Sequence, residues 1–288
     1  MSQEDVLQSQ KTPEPPDLAN PTYDELINAL GAGGNKKYVR MTLAALGVIP
    51  WVGSLLGAGA GFWAETDQGK LNMLQKAWIQ EHARKVQELA TTLHQIYARL
   101  DAFGDRITQR IESEEYLTLV RRTFRSWDQA DTNEKRQMLQ RLITNAGAIE
   151  LCPDDQVRMF ANWIDQYHEA HFMIIREVYR NPGASKADIW DAIHPSGRPP
   201  DNSAEADLYK LLFHDLNVGH VVRHQRETNS EGQFLRQRRS PSRSQSGTLD
   251  SIFEDDKPQD LTELGKQFVH YVMKDVAPQI EASNTATM

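Results

Sequence analysis

Nine histidines, one cysteine and a glycine-rich run are the features of this 288-residue chain that could carry chemistry. His168-Glu169-Ala170-His171 sets two imidazoles three residues apart around a glutamate. A zinc-peptidase helix needs them four apart, with the glutamate directly after the first, so that both rings meet one metal. His171 also continues an apolar periodicity, which predicts a packed core histidine. His220 and His224 are four apart in a stretch that reads as strand, where alternation puts both on one face without an acidic ligand beside them. Cys152 has no nucleophile signature around it and, as the single cysteine, forms no intrachain disulfide and fits a reducing compartment. Gly57-Ala-Gly-Ala-Gly61 lacks both the spacing and the following Lys-Ser/Thr of a phosphate-cradling loop. These residues predict no enzyme, no bound metal and no cofactor.

The elements around them are organised by Met41–Ala64, 24 residues without a charge in a chain that is 25% charged. That length matches a membrane span of about 20 apolar residues. Pro50 interrupts it with Gly47 and Gly53 to either side, so the stretch reads as two short arms around Pro50-Trp51, closed by Trp63. Gly53, Gly57 and Gly61 recur every fourth residue, a spacing that lets two helix backbones approach closely in a bilayer. Each glycine in a helix interior costs about 1 kcal/mol relative to alanine, so such a series needs a packing reason. The expected element is a glycine-zipper hairpin that enters or oligomerises in lipid. A buried hairpin in a helical bundle has the same composition and stands beside it.

Charge narrows the partners. A formal charge of −8 and a pI near 5.6 argue against general nucleic-acid binding, which usually shows as a basic domain. Mean hydropathy is −0.60, yet six Trp and nine Phe suffice for a core. Acidic Met1-Ser-Gln-Glu-Asp5 is unlike a signal peptide, so the chain is expected in the cytoplasm, moving to the inner membrane on activation.

Along the chain, 1–21 is polar and proline-rich and reads as a disordered tail. A helical domain is expected over 22–151, with Thr22 and Glu25 capping a first short helix. Its longest helix, 70–103, carries Leu71, Leu74, Trp78, Val86, Leu89, Leu93, Ile96 and Leu100 at steps of three and four. That is the seam of a coiled coil, satisfied by the chain's own later helices or by another copy; a homo-oligomer is expected. Ser113 and Thr132 open two further helices. A second domain is expected over 152–288: a helix from Val157 to Tyr179, a short one capped by Ser185 and Asp188, and a third from Ser203 with Leu208, Leu211, Leu212 and Leu216. Val221-Val-Arg223 and Phe234-Leu-Arg236 then read as a hairpin. A low-complexity loop over 239–260 and a helix capped by Thr262 follow. This is the order of a winged helix-turn-helix domain. Arg223, Arg226, Arg236, Arg238 and Arg239 form a candidate anion-binding wing, whereas Glu205, Asp207 and Asp215 on the third helix oppose phosphate. A protein-sensing role is therefore favoured over DNA binding.

Ile49-Pro-Trp-Val-Gly-Ser-Leu-Leu-Gly-Ala-Gly-Ala-Gly61, the SEEYLTLVRRTFRSWD run and LTELGKQFVHYV resemble bacterial proteins in which a Gly-rich apolar segment precedes a helical bundle and a winged-helix end. Proteins that join a sequestered membrane-active segment to a sensor are similar to bacterial immunity effectors. The resemblance implies a membrane-disrupting effector of antiphage defence, with conditional lipid contact and a protein trigger. A winged-helix transcriptional regulator and a soluble protein-interaction adaptor are the alternatives.

Overall fold

A computed structural model describes residues 36–52, 68–148, 152–225, 251–253 and 257–273; the side chains of 36–37, 68–83 and 106 are not described. The protein is mainly helical, with one two-stranded sheet among the described residues. It divides into two compact units, 1–165 and 166–288. The division falls one helix later than the break expected at 151–152.

The first described helix of unit 1 is α1 (Lys36–Leu46), after which helical backbone resumes at Pro50. The long helix α2 (Gln68–Asp101) is 34 residues, about 51 Å at the usual rise. It ends where expected, because Gly104 takes a φ of 65° that other residues rarely adopt. A 3-10 turn (Gly104–Ile107) and the short α3 (Thr108–Glu112) lead into α4 (Glu114–Gln129) and α5 (Asn133–Ala148). Ser113 and Thr132 cap these two as expected, accepting from the backbone N–H groups of Tyr116 and Lys135. α4 packs along α5, α2 packs on α5, and α1 lies on α3 and α4.

Val86, Leu89, Leu93, Ile96 and Leu100 of the expected seam are all buried within this unit. The side chains of Leu71, Leu74 and Trp78 lie outside the described residues. Burying one leucine contributes about 1.5–3 kcal/mol, so this stripe is a main source of the unit's stability. α6 (Asp154–Gln166) is tied on by Arg110 of α3, whose guanidinium forks onto Asp154 and reaches the Ala146 carbonyl at 3.3 Å. Buried Cys152 sits between α5 and α6.

Unit 2 contains α7 (Glu169–Arg180), α8 (Lys186–Ile193), α9 (Ala204–Val218), β1 (Val222–His224), β2 (Gln259–Leu261) and α10 (Glu263–Val272). The single helix expected over 157–179 is two. Tyr167-His168 interrupts it because His168 is extended (ψ 164°) and its N–H is received by the His171 ring rather than by a carbonyl. Ser185 with Asp188, Ser203 and Thr262 cap the later helices as expected.

β1 has a partner that the sequence reading did not name. Val222 pairs with Leu261, Arg223 with Asp260 and His224 with Gln259, antiparallel, so the end of the expected 239–260 loop is strand. Phe234-Leu-Arg236 lies outside the described residues. The other edge of β2 exchanges hydrogen bonds with the turn before α8: Gly183 N to Gln259 O at 2.8 Å and Gln259 N to Ala184 O at 3.0 Å. Ser251, Ile252 and Phe253, also within that loop, are buried.

Candidate functional site

The described part of the apolar stretch, 41–52, is packed into unit 1. Met41, Ala44, Ala45, Leu46, Ile49 and Val52 are buried. Polar groups fasten it as well. Tyr38 donates its hydroxyl to Asp101 Oδ1 and stacks on Tyr97 with ring centres 4.5 Å apart. Thr42 Oγ1 lies 2.5 Å from the Tyr97 hydroxyl, and Trp51 Nε1 donates to Asp128 Oδ1 at 2.6 Å. Burial, reinforced at Tyr38 by the Asp101 carboxylate, pushes both phenols well above the ordinary tyrosine range. They stay neutral at any physiological pH.

Arg40, on the exposed side of α1, donates to the Glu112 carbonyl at 3.0 Å. A shallow cavity of about 300 Å³ opens beside it, between Leu43, Val48, Leu117 and Arg121. Of the residues singled out for membrane contact, Pro50 is exposed and Trp51 half-buried. Gly53, Gly57, Gly61 and Trp63 lie outside the described residues. No helix among the described residues is long and apolar enough to cross a membrane.

Unit 2 holds the second candidate site. α7, α8 and α9 surround a cavity of about 390 Å³ lined by Met173, Ile174, Trp190, Ile193, Leu208 and Leu212, with Glu205 and Arg198 at its mouth. Trp190 is fixed by Nε1–H donation to the Gly197 carbonyl at 3.0 Å and by edge contacts with Tyr209 and Phe253. Tyr209 in turn donates to the Lys186 carbonyl at 2.7 Å, and burial raises its pKa far above the usual value. Leu208 and Leu211, two of the leucines that mark the third helix in the sequence, are 52% exposed. The helix buries Ala206, Tyr209, Leu212, Phe213 and Leu216, and the two leucines fall on the opposite side.

The histidine pairs do not assemble into metal sites. His171 Nδ1 accepts the His168 N–H at 3.0 Å, so that nitrogen is occupied. His220 is not on the strand but in the turn before it, at a φ of 55°, while His224 Nδ1 meets Gln259 Nε2 at 2.9 Å. Among the described residues no three potential ligands cluster. Of the wing arginines only Arg223 is described, half-buried on β1 opposite Asp260. Arg226, Arg236, Arg238 and Arg239 lie outside the described residues.

Compared with protein-family models, with curated protein sequences and with solved structures, the chain matches none.

Proposed function

We propose that the chain is a conditionally membrane-active effector that stores one arm of an apolar hairpin in unit 1 and is governed by unit 2 as a winged-helix sensor. The observation that carries this reading is the fastening of the arm. An otherwise apolar segment is held at Tyr38–Asp101, Thr42–Tyr97 and Trp51–Asp128. A net hydrogen bond contributes only about 0.5–1.5 kcal/mol, because water or a lipid headgroup replaces it when it opens. Three such ties fix how the arm sits, while burial of Met41, Leu46, Ile49 and Val52 supplies most of its hold, so release calls for a competing apolar surface such as a bilayer.

The winged-helix reading is supported by the order helix, turn, helix, helix, two strands and helix, with β2 bonded to β1 on one edge and to Gly183-Ala184 on the other. The resemblance described above is what supports antiphage defence as the setting of this activity, and phage plating with and without the gene tests it directly.

The biochemical test is dye leakage from anionic vesicles. An Asp101→Ala, Asp128→Ala protein, with two of the ties cut, leaks vesicles faster than wild type. Gly57→Leu, which would block the close helix approach expected of a glycine zipper in lipid, abolishes leakage and leaves the protein soluble and folded. Should Gly57→Leu instead unfold the chain, the glycine belongs to a soluble core, where overpacking costs about 1–3 kcal/mol, and the membrane reading fails.

A further inference from the structure

We propose that the groove between α7, α8 and α9 binds a basic amphipathic helix of a partner protein. The proposal gives the sensing role of unit 2 a partner class and rests on that role.

A solvated helix face is ordinarily polar, and scattered exposed leucines are ordinary too. The outer face of α9 fits neither description. Leu208, Leu211 and Val218, at 52%, 52% and 65% exposure, fall on one stripe with Asp215 at steps of three and four. That is the spacing at which a second helix lies down. Leu208 also belongs to the groove wall, so the stripe runs on into a concavity floored by buried Trp190. Met173, 38% exposed on the opposite wall, has the flexible thioether that adapts to an incoming side chain.

Charge selects the occupant. Arg198 and Lys210 are engaged by Asp191 and Asp207. Glu205 at the mouth, and exposed Glu169 one turn before Met173, have no ion-pair partner among the described residues. Asp215 lies along the stripe but is half-buried, with Oδ2 3.5 Å from His171 Nε2, so Glu205 and Glu169 carry the margin. The surface is apolar with an acidic margin, which attracts a helix with leucine-like anchors and Lys/Arg flanks. It repels a duplex. A second copy is disfavoured as well, since an isologous contact sets the Glu205 and Glu169 margins of the two copies against each other.

The test uses the full chain and three labelled synthetic peptides read by fluorescence anisotropy without vesicles: Leu/Lys with leucines at helical spacing, the same composition with that spacing scrambled, and Leu/Glu. The helical Leu/Lys peptide binds, and the other two bind at least about tenfold more weakly. Leu208→Ser with Leu211→Ser, which replaces exposed side chains and keeps the circular dichroism spectrum, costs at least about tenfold in affinity, as expected for two leucines that become buried. Glu205→Lys weakens binding as well. Equal binding of the scrambled or Leu/Glu peptide, or indifference to the leucine pair, overturns the proposal. So does a wild-type dimer that Leu208→Ser dissolves, which would make a second copy the occupant, or tighter peptide binding after Arg236, Arg238 and Arg239 become Gln, which would make that run of the chain the occupant. Peptide binding without vesicle leakage leaves this inference standing and removes the membrane role; leakage without peptide binding does the reverse.

Discussion

His171 accepts the backbone N–H of His168 through Nδ1, so its neutral ring carries the proton on Nε2. That nitrogen is buried and faces Asp215 Oδ2 at 3.5 Å, too long for a full hydrogen bond. Burial therefore prevails over the carboxylate, and the pKa falls below the ordinary 6.5, with nearby His168 adding to the fall. Tyr167 stacks on the same ring, and its own phenol is pushed up to about 12 by burial and by Asp215. A histidine with a lowered native pKa is protonated more readily in the unfolded chain, so its contribution is present above pH 6.5 and lost as pH falls below it. Urea midpoints are expected to drop between pH 7.5 and 5.5. His171→Gln, which keeps an acceptor at the third helical position, should flatten that drop. A residual slope is expected from half-buried His270, whose pKa desolvation lowers in the same way. A lone glycine makes a second residue-scale test. A Cβ on Gly219 would stand 2.1 Å from the Tyr167 hydroxyl, so Gly219→Ala should cost about 1–3 kcal/mol by denaturant unfolding.

Among the elements, α2 was legible because its apolar steps and its terminal glycine agree. The caps of α4, α5, α8, α9 and α10 were legible because each is a local chemical rule. The break at His168 was not, since Trp163, Ile164, Tyr167, His171 and Ile174 keep the helical period on both sides of it. Its signal is an imidazole acting as a cap, a role usually filled by Glu or Gln. The partner of β1 was missed because turn rules favour a nearby strand, whereas Gln259 lies 35 residues beyond His224. The groove was hidden for another reason. Leucine at helical spacing reads as core, and only tertiary packing reveals that Leu208 and Leu211 face outward. Packing likewise fixes what Leu89 does: it is 1% exposed inside unit 1. Leu89→Ala should cost about 2–5 kcal/mol in chemical denaturation, whether or not the chain also self-associates.

For the whole molecule, charge leads us to propose that no duplex is its partner. The chain carries −8 overall, and α9 offers Glu205, Asp207 and Asp215 where a DNA reader would present cations. Electrophoretic shifts near physiological salt should show no complex, even with the arginine run intact. A complex whose salt slope falls by about 0.9 for each arginine neutralised would reverse that expectation. The lone thiol between α5 and α6 has a consequence of another kind. With no second cysteine to compete, alkylation of native Cys152 proceeds only through transient exposure, at a rate set by the fraction of time that junction stands open. Labelling kinetics followed by mass spectrometry thus give a stopwatch for unit 1 that needs no engineered reporter. Cutting the ties of α1 should leave the reaction unchanged if that arm detaches alone, and quicken it if the bundle loosens with it.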